Sequence, residues 1–199
     1  MKQTYVELVI KEGRPTSFHE LEKKLRTAGV EIDPHFSSLS TLEAEIFLDG
    51  FVKVRDQLLS DEVFAAYSAR EKLLAIFYTW LEDLEAQKAF WRIVDQAAFL
   101  FECQAYMQQT KAPFQAFVKL IISQGLEEGS IARRPITDYY IGPIWCSSNY
   151  IFHSWLRDES KNSERSDAAV EKTVNFVFDL MEPGWLDSGF EWTKFLFQG

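Results

Sequence analysis

Apolar side chains recur at intervals of three and four through most of this chain, and almost nowhere do they alternate. That period places one buried stripe along each helix and argues against strands. Tyr5, Leu8 and Val9 predict a short first helix, ended by Gly13 and Pro15. Ser17 followed by Glu20 is a capping box, so a second helix begins at Phe18, with Phe18, Leu21 and Leu25 on one face. A turn of Arg26, Thr27, Ala28 and Gly29 follows, then a short segment ending in His35 and Phe36. A third run starts near Ser40. From Thr41 to Leu59 it carries Leu42, Ile46, Val52 and Leu59 on one side, and it links a small head to the rest.

Beyond this linker the pattern stays helical. Ser68 and Glu71 form a second capping box, opening a helix through Leu73, Ile76, Phe77, Trp80, Leu81 and Leu84. Residues 88–108 read as another strongly apolar helix. Pro113 stands where a first turn tolerates proline and predicts the start of the next, with Phe114, Phe117, Val118, Ile121 and Ile122 inside. That helix closes in the segment 125–131, where Gly129 suits a left-handed cap. Thr137 to Asp158 is a long apolar helix with a kink expected at Gly142-Pro143. The polar stretch 157–167 is a loop. A last helix runs to about Met181, and Pro183-Gly184 precedes an aromatic tail. Repeats are absent from the sequence, and the pattern predicts an all-α fold of nine or ten helices.

Composition narrows the classes. With 199 residues, 47% of them hydrophobic and 15% aromatic, the chain can bury one generous core or two small ones. A net charge of −9 favours solubility and opposes nucleic acid and anionic membranes. No run of eighteen apolar residues occurs, so no membrane span is expected, and the acidic N-terminus does not resemble a secretory signal. Cys103 and Cys146 are expected to be buried free thiols, which places the protein in the cytoplasm.

The segment from Ser17 to Leu42, SFHELEKKLRTAGVEIDPHFSSLSTL, carries a specific resemblance. It is similar to the DNA-binding unit of the TetR/AcrR family of one-component regulators, through Ser17, Phe18, Glu20, Leu21, His35 and Phe36. Ser38 and Leu42 match the start of that family's connecting helix. The glycine-acid-acid-glycine helix end at 125–129 resembles the corresponding helix end of its effector domains. The resemblance implies a TetR-like all-α fold: a three-helix helix-turn-helix head over residues 1–45, and a ligand-binding and dimerisation bundle over 46–199. It implies DNA contacts from Ser17, Lys23, Lys24, Arg26 and His35.

Departures from the family pattern fall where DNA would be read. Glu22 replaces a small alanine, Arg26 a turn glycine, and Asp33 a phosphate-contacting tyrosine, with Pro34 next. Proline inside a helix costs about 3 kcal/mol, so Asp33-Pro34 reads better as a helix start, leaving the recognition helix broken or shortened. Residues 1–50 hold six bases against nine acids, a net of −3, the wrong sign for neutralising phosphates. Lys23, Lys24 and Arg26 form a basic edge that either touches a phosphate backbone or is an ordinary solvated face.

Aromatic residues crowd the middle helices, more than a small bundle needs to fill its core. Phe77, Tyr78, Trp80, Trp91, Phe99, Cys103, Tyr106 and Phe117 are candidate pocket residues, with Tyr78, Gln104, Tyr106 and Cys103 as polar handles. The last two long helices pair broad apolar faces: Trp145, Ile151, Phe152 and Trp155 with Val170, Val174, Val177 and Met181. The resemblance makes these the two-fold interface of a homodimer; the other reading is a helical hairpin within a monomer. The tail, with Trp185, Leu186, Phe190, Trp192, Phe195, Leu196 and Phe197, is expected to pack back onto the bundle.

Enzymatic readings find no motif. Phosphate-loop and dinucleotide glycine spacings and a nucleophile elbow are missing from the sequence. His19, His35 and His153 stand far apart, so neither a metal nor a cofactor is expected. His19 reads as a surface residue, His35 as a helix-packing one, and His153 as a satisfied core histidine. The resemblance thus implies a regulator in which a hydrophobic small molecule enters the bundle and shifts the connecting helix, with duplex DNA as a doubtful partner. A rival shares the fold and drops the DNA: a lipid- or isoprenoid-binding protein of the ubiquinone-biosynthesis accessory kind.

Overall fold

The computed structural model describes residues 1–95, 103–134 and 140–181. Among these residues it holds nine α-helices and no strand: α1 (Lys2–Glu12), α2 (Phe18–Thr27), α3 (Leu39–Leu59), α4 (Glu62–Ala66), α5 (Ala69–Glu85), α6 (Lys88–Val94), α7 (Gln108–Glu128), α8 (Ile141–Leu156) and α9 (Glu164–Met181). The all-α fold is the one the periodicity predicts. Phe99 and Phe101, the first residues of the run expected from Thr137, and the whole aromatic tail lie outside the described residues.

Helix boundaries follow local chemistry. The Ser17 hydroxyl accepts the Glu20 backbone N–H and starts α2. The returning half of the expected box goes elsewhere: the Glu20 carboxylate accepts the backbone N–H and hydroxyl of Thr16. Ser68 and Glu71 complete a reciprocal box at α5. Gly29, at φ +71°, closes α2 with paired bonds from the Gly29 N–H to Arg26 and from the Val30 N–H to Leu25, so this helix outlasts the turn expected at Arg26. Gly129 closes α7 in the left-handed region, as its position predicts.

Four expectations need correction. No helix restarts at Pro34, because residues 30–37 are non-helical throughout. The run 88–108 is not one helix: α6 ends at Val94, and Asp95 leaves the helical region at ψ 123° while its carboxylate takes the Tyr106 hydroxyl at 3.0 Å. Pro113 does not start α7 but lies inside it, after a short 3₁₀ turn at Ala105–Met107. The ring removes only the bond to the carbonyl of Gln109, an exposed residue whose carbonyl water can serve. Finally, α3 buries Leu42, Ile46, Phe47, Phe51, Val54 and Leu58, whereas Leu59 points outward at 55% exposure.

Helix α3 is the spine. It packs against α5, α7 and the 3₁₀ turn at Ala105–Met107, meets the head through Glu43 and Asp49, and passes position 45 without a break, while α1 packs on α6. On the far side, α8 packs on α9, which also lies along α5. The α8–α9 connection is shorter than the loop expected over 157–167, because Asp158 organises it. Its carboxylate accepts the Ser160 N–H at 2.8 Å, the Ser166 N–H at 2.8 Å and the Ser166 hydroxyl at 2.6 Å. Burial alone would raise this carboxyl, but the hydrogen bonds from Ser160 and Ser166 outweigh it and hold the group well below the usual carboxylate range. A depressed value means stability that is present above the unfolded-state value of about 3.9 and lost as pH falls below it. We expect Asp158→Ala to cost about 2 kcal/mol at pH 7. Urea midpoints measured from pH 6 to pH 2.5 should fall less in Asp158→Asn than in the native chain.

Candidate functional site

Two regions answer the sequence expectations: the head, and the aromatic interior of the bundle. In the head, the segment that should read DNA is an extended stretch with one tight turn. The Phe36 N–H bonds the Asp33 carbonyl at 3.2 Å, and the Asp33 carboxylate takes the His35 backbone N–H at 3.0 Å and its ring Nδ1 at 2.7 Å. Those contacts, the backbone N–H first, hold the Asp33 carboxyl below its ordinary range. Proline at the next position drives Asp33 away from the helical region, and the aspartate side chain then substitutes for a helical hydrogen bond. Val30, Ile32 and Phe36 lie half-buried against the core, anchoring the stretch in this form.

The expected DNA contacts do not converge on a groove-reading element. Ser17 serves as a cap. Lys24 is paired with Glu12 at 3.1 Å and Glu20 at 3.3 Å. Lys23 and Arg26 are exposed on α2. His35 is 88% exposed and bound to Asp33, so it is not the helix-packing residue its sequence context implied. A groove of about 630 Å³ between α1 and α2 mixes Lys11, Lys23 and Lys24 with Glu7, Glu12 and Glu20, and carries no single sign of charge.

A carboxylate that sequence reading passed over joins this head to the bundle. Glu43 of α3 is 2% exposed. It accepts the Tyr5 hydroxyl at 2.6 Å and two guanidinium bonds from Arg14 at 2.7 and 3.0 Å. Burial and the neighbouring Glu43 both push the Tyr5 phenol up, keeping it a donor.

The bundle interior brings most of the expected pocket residues together. Phe77, Trp80, Trp91, Tyr106 and Phe117 are all buried. Phe47, which sequence reading left out, lies at their centre, with Trp80, Trp91 and Phe152 at 5.2 Å and Tyr106 at 5.4 Å. Phe114 links Trp80, Phe77 and Trp145. Tyr78 stands apart, its hydroxyl turned to the Asp167 carbonyl at 3.5 Å. Cys103 is half-buried and accepts from Gln108, and Gln104 is likewise half-buried. Cys146 is exposed, which corrects the expectation of two buried thiols. His153 is fully buried, with Nδ1 3.3 Å from Asp95. In the same interior, Trp80 Nε1, Trp91 Nε1, Thr110 Oγ1 and Asn149 Oδ1 are buried without a hydrogen-bond partner among the described residues. Each such atom costs about 1–3 kcal/mol if nothing satisfies it.

The eight side chains expected at a two-fold interface are buried within one protomer. Trp145, Ile151, Phe152, Trp155, Val170, Val174, Val177 and Met181 are each at most 6% exposed. They hold α8 and α9 to each other and to the core. What α9 turns outward instead is Phe176, 62% exposed, and Leu180 one turn on, 42% exposed; α8 turns out Cys146, with Tyr150 half-buried a turn further on.

With this geometry in place, comparison with known proteins is informative. A family model described as the tetracyclin repressor-like C-terminal domain matches residues 72–196, more than half of the chain. No curated protein and no solved structure matches. The chain belongs to the TetR-like family of regulators. Proteins of this family are typically regulators rather than enzymes. No helix among the described residues is long and apolar enough to cross a membrane, and no group of histidines, cysteines and carboxylates among them would hold a metal ion.

The Glu43 joint can be tested alone. Removing the acceptor leaves Tyr5 buried and Arg14 partly buried without their partner, so Glu43→Ala should lower unfolding free energy by about 3 kcal/mol. Glu43→Gln, which keeps an acceptor, should cost less. Chemical denaturation of the three proteins at pH 7 checks the order, and equal stability of Glu43→Ala and the native chain would contradict it.

Proposed function

We propose that this protein is a ligand-responsive member of the TetR-like family that binds a hydrophobic small molecule in its bundle, works in the cytoplasm as a homodimer, and does not read DNA sequence through a recognition helix. The single observation that carries the last point is the non-helical course of residues 30–37. A major-groove reader needs an element that fits the groove and presents side chains to base edges. An Asp33-centred turn offers neither, and the surrounding head is net acidic. Lys23 and Arg26 remain for contacts to phosphate alone, which carry no sequence information.

Effector binding is supported by the ring-lined interior and its unpartnered polar atoms. The route to the head is α3, one continuous helix that touches the effector region through Phe47 and the head through Glu43 one turn earlier. A ligand that displaces Phe47 therefore acts on the joint that fixes the head. An isoprenoid-binding protein of the same fold is the second reading, favoured by the loss of the reading helix together with the aromatic interior. The outward Phe176 and Leu180 supply the apolar contact for a dimer.

Two measurements follow. In fluorescence anisotropy at low salt, on labelled intergenic duplex neighbouring its gene, the native chain should show weak, sequence-independent binding that vanishes as salt rises. A nanomolar complex resistant to competitor DNA would overturn the reading. Light scattering after size exclusion should find a dimer for the native chain and a monomer for the double variant Phe176→Glu, Leu180→Glu; a dimer unaffected by both charges places the interface elsewhere.

A further inference from the structure

A cleft of about 310 Å³ opens where the head meets the bundle, apart from the ring-packed interior. One wall is the start of α1; the other is α3 together with the α5–α6 turn. Its base is apolar, made by the buried side chains of Val6, Ile46 and Leu84. Its rim carries two ion pairs. Lys2 of α1 reaches Asp49 of α3 at 2.5 Å, and Lys53 of α3 pairs with Asp83 of α5. Gly50, between the two pairs along α3, puts no side chain into the space, and Asp83 Oδ2 lies 3.5 Å from where a Cβ on it would stand.

Two polar groups of this cleft are unspent. Lys53 engages only Oδ1 of Asp83, whose side chain is 19% exposed, and Oδ2 takes no hydrogen bond among the described residues. The side-chain amide of Gln87, on the same wall, makes none there either. The free carboxylate oxygen only accepts, so it calls for a donor, best an ammonium. Lys53 only donates, and its ammonium is 69% exposed, so it can take a second acceptor, best a carboxylate. A guest with both charges side by side would close the Lys53–Asp83 pair into a ring of alternating sign. A guest with one charge would meet the like charge of that pair as closely as the opposite one. The buried base suits a short hydrocarbon group. We propose that this cleft binds a small zwitterion, an α-amino acid with a short aliphatic side chain, its ammonium on Asp83 Oδ2 and its carboxylate on Lys53. Because α1 forms the facing wall, such a guest fills the gap between head and bundle. The site is separate from the aromatic interior and stands or falls independently of it.

Titration of the nitrogen-15-labelled full chain with L-leucine, followed by amide NMR spectra at pH 7, tests this. L-leucine should shift the Gly50, Asp83 and Gln87 amides saturably and leave the indole N–H signals of Trp80 and Trp91 in place. The relatives 3-methylbutylamine and 4-methylpentanoate keep the hydrocarbon and one charge each, and each should bind at least about fivefold more weakly. Asp83→Asn keeps the shape, removes the acceptor charge and releases Lys53. It should weaken L-leucine about fivefold while leaving 4-methylpentanoate unchanged or tighter. No saturable shift at these amides, equal binding of the three probes, or shifts confined to the indoles overturns the proposal. The probe series on the native chain decides the matter even where the variant does not fold.

Discussion

The carboxylate of Glu43 is buried where α1, the α1–α2 connection and α3 meet, and the packing around it depends on its bonds. A buried acid is expensive unless its lone pairs are filled, and here a phenol from α1 and a bidentate guanidinium from the α1–α2 connection fill them. Because Glu43 sits one turn before Phe47 on the same unbroken helix, the polar joint and the aromatic interior share a single rigid support. The head is held both by these directional bonds and by apolar packing of α1 on α6, where the Tyr5 ring meets Phe90 at 5.7 Å. A rearrangement of the rings has only one helical turn to travel before it meets the joint.

The head keeps its first two helices and their caps although no helix lies between α2 and α3. Helix α2, its serine cap and its glycine-terminated end are all in place, and α3 begins at its own serine cap. Between them an aspartate and a proline replace a helix by a turn, and three apolar residues tie that turn down. The scaffold does not collapse, because Leu21, Leu25, Leu39 and Leu42 are buried without help from the missing element. Membership of a regulator family, established through the C-terminal domain, therefore coexists with a head in which residues 30–37 are non-helical.

Much of this was legible in the sequence where the signal is local. Serine caps, a helix-ending glycine and stripes at spacings of three and four announce themselves within a few residues, and Ser17, Ser68 and Gly129 behave accordingly. Non-local contacts were not legible. Nothing around Asp95 in the chain signals that Tyr106 and His153 await its carboxylate, so one long helix was expected where α6 ends. Pro113 looked like a start signal because periodicity cannot show that Thr110 and Tyr106 are also buried upstream of it. Apolar faces on α8 and α9 were legible as buried, but sequence alone cannot tell burial within a protomer from burial between two. Glu43 was hidden for the complementary reason: an acid on a helix reads as solvent-facing unless its partners are known.

The chain between α2 and α3 is a turn and not a helix. Carbon-13 Cα secondary shifts for residues 30–37, recorded alone and with an equimolar duplex, address it most directly. Extended or turn values are expected in both samples, with Asp33, Pro34 and His35 unchanged by DNA. A continuous run of helical shifts across these residues, in either sample, would contradict it.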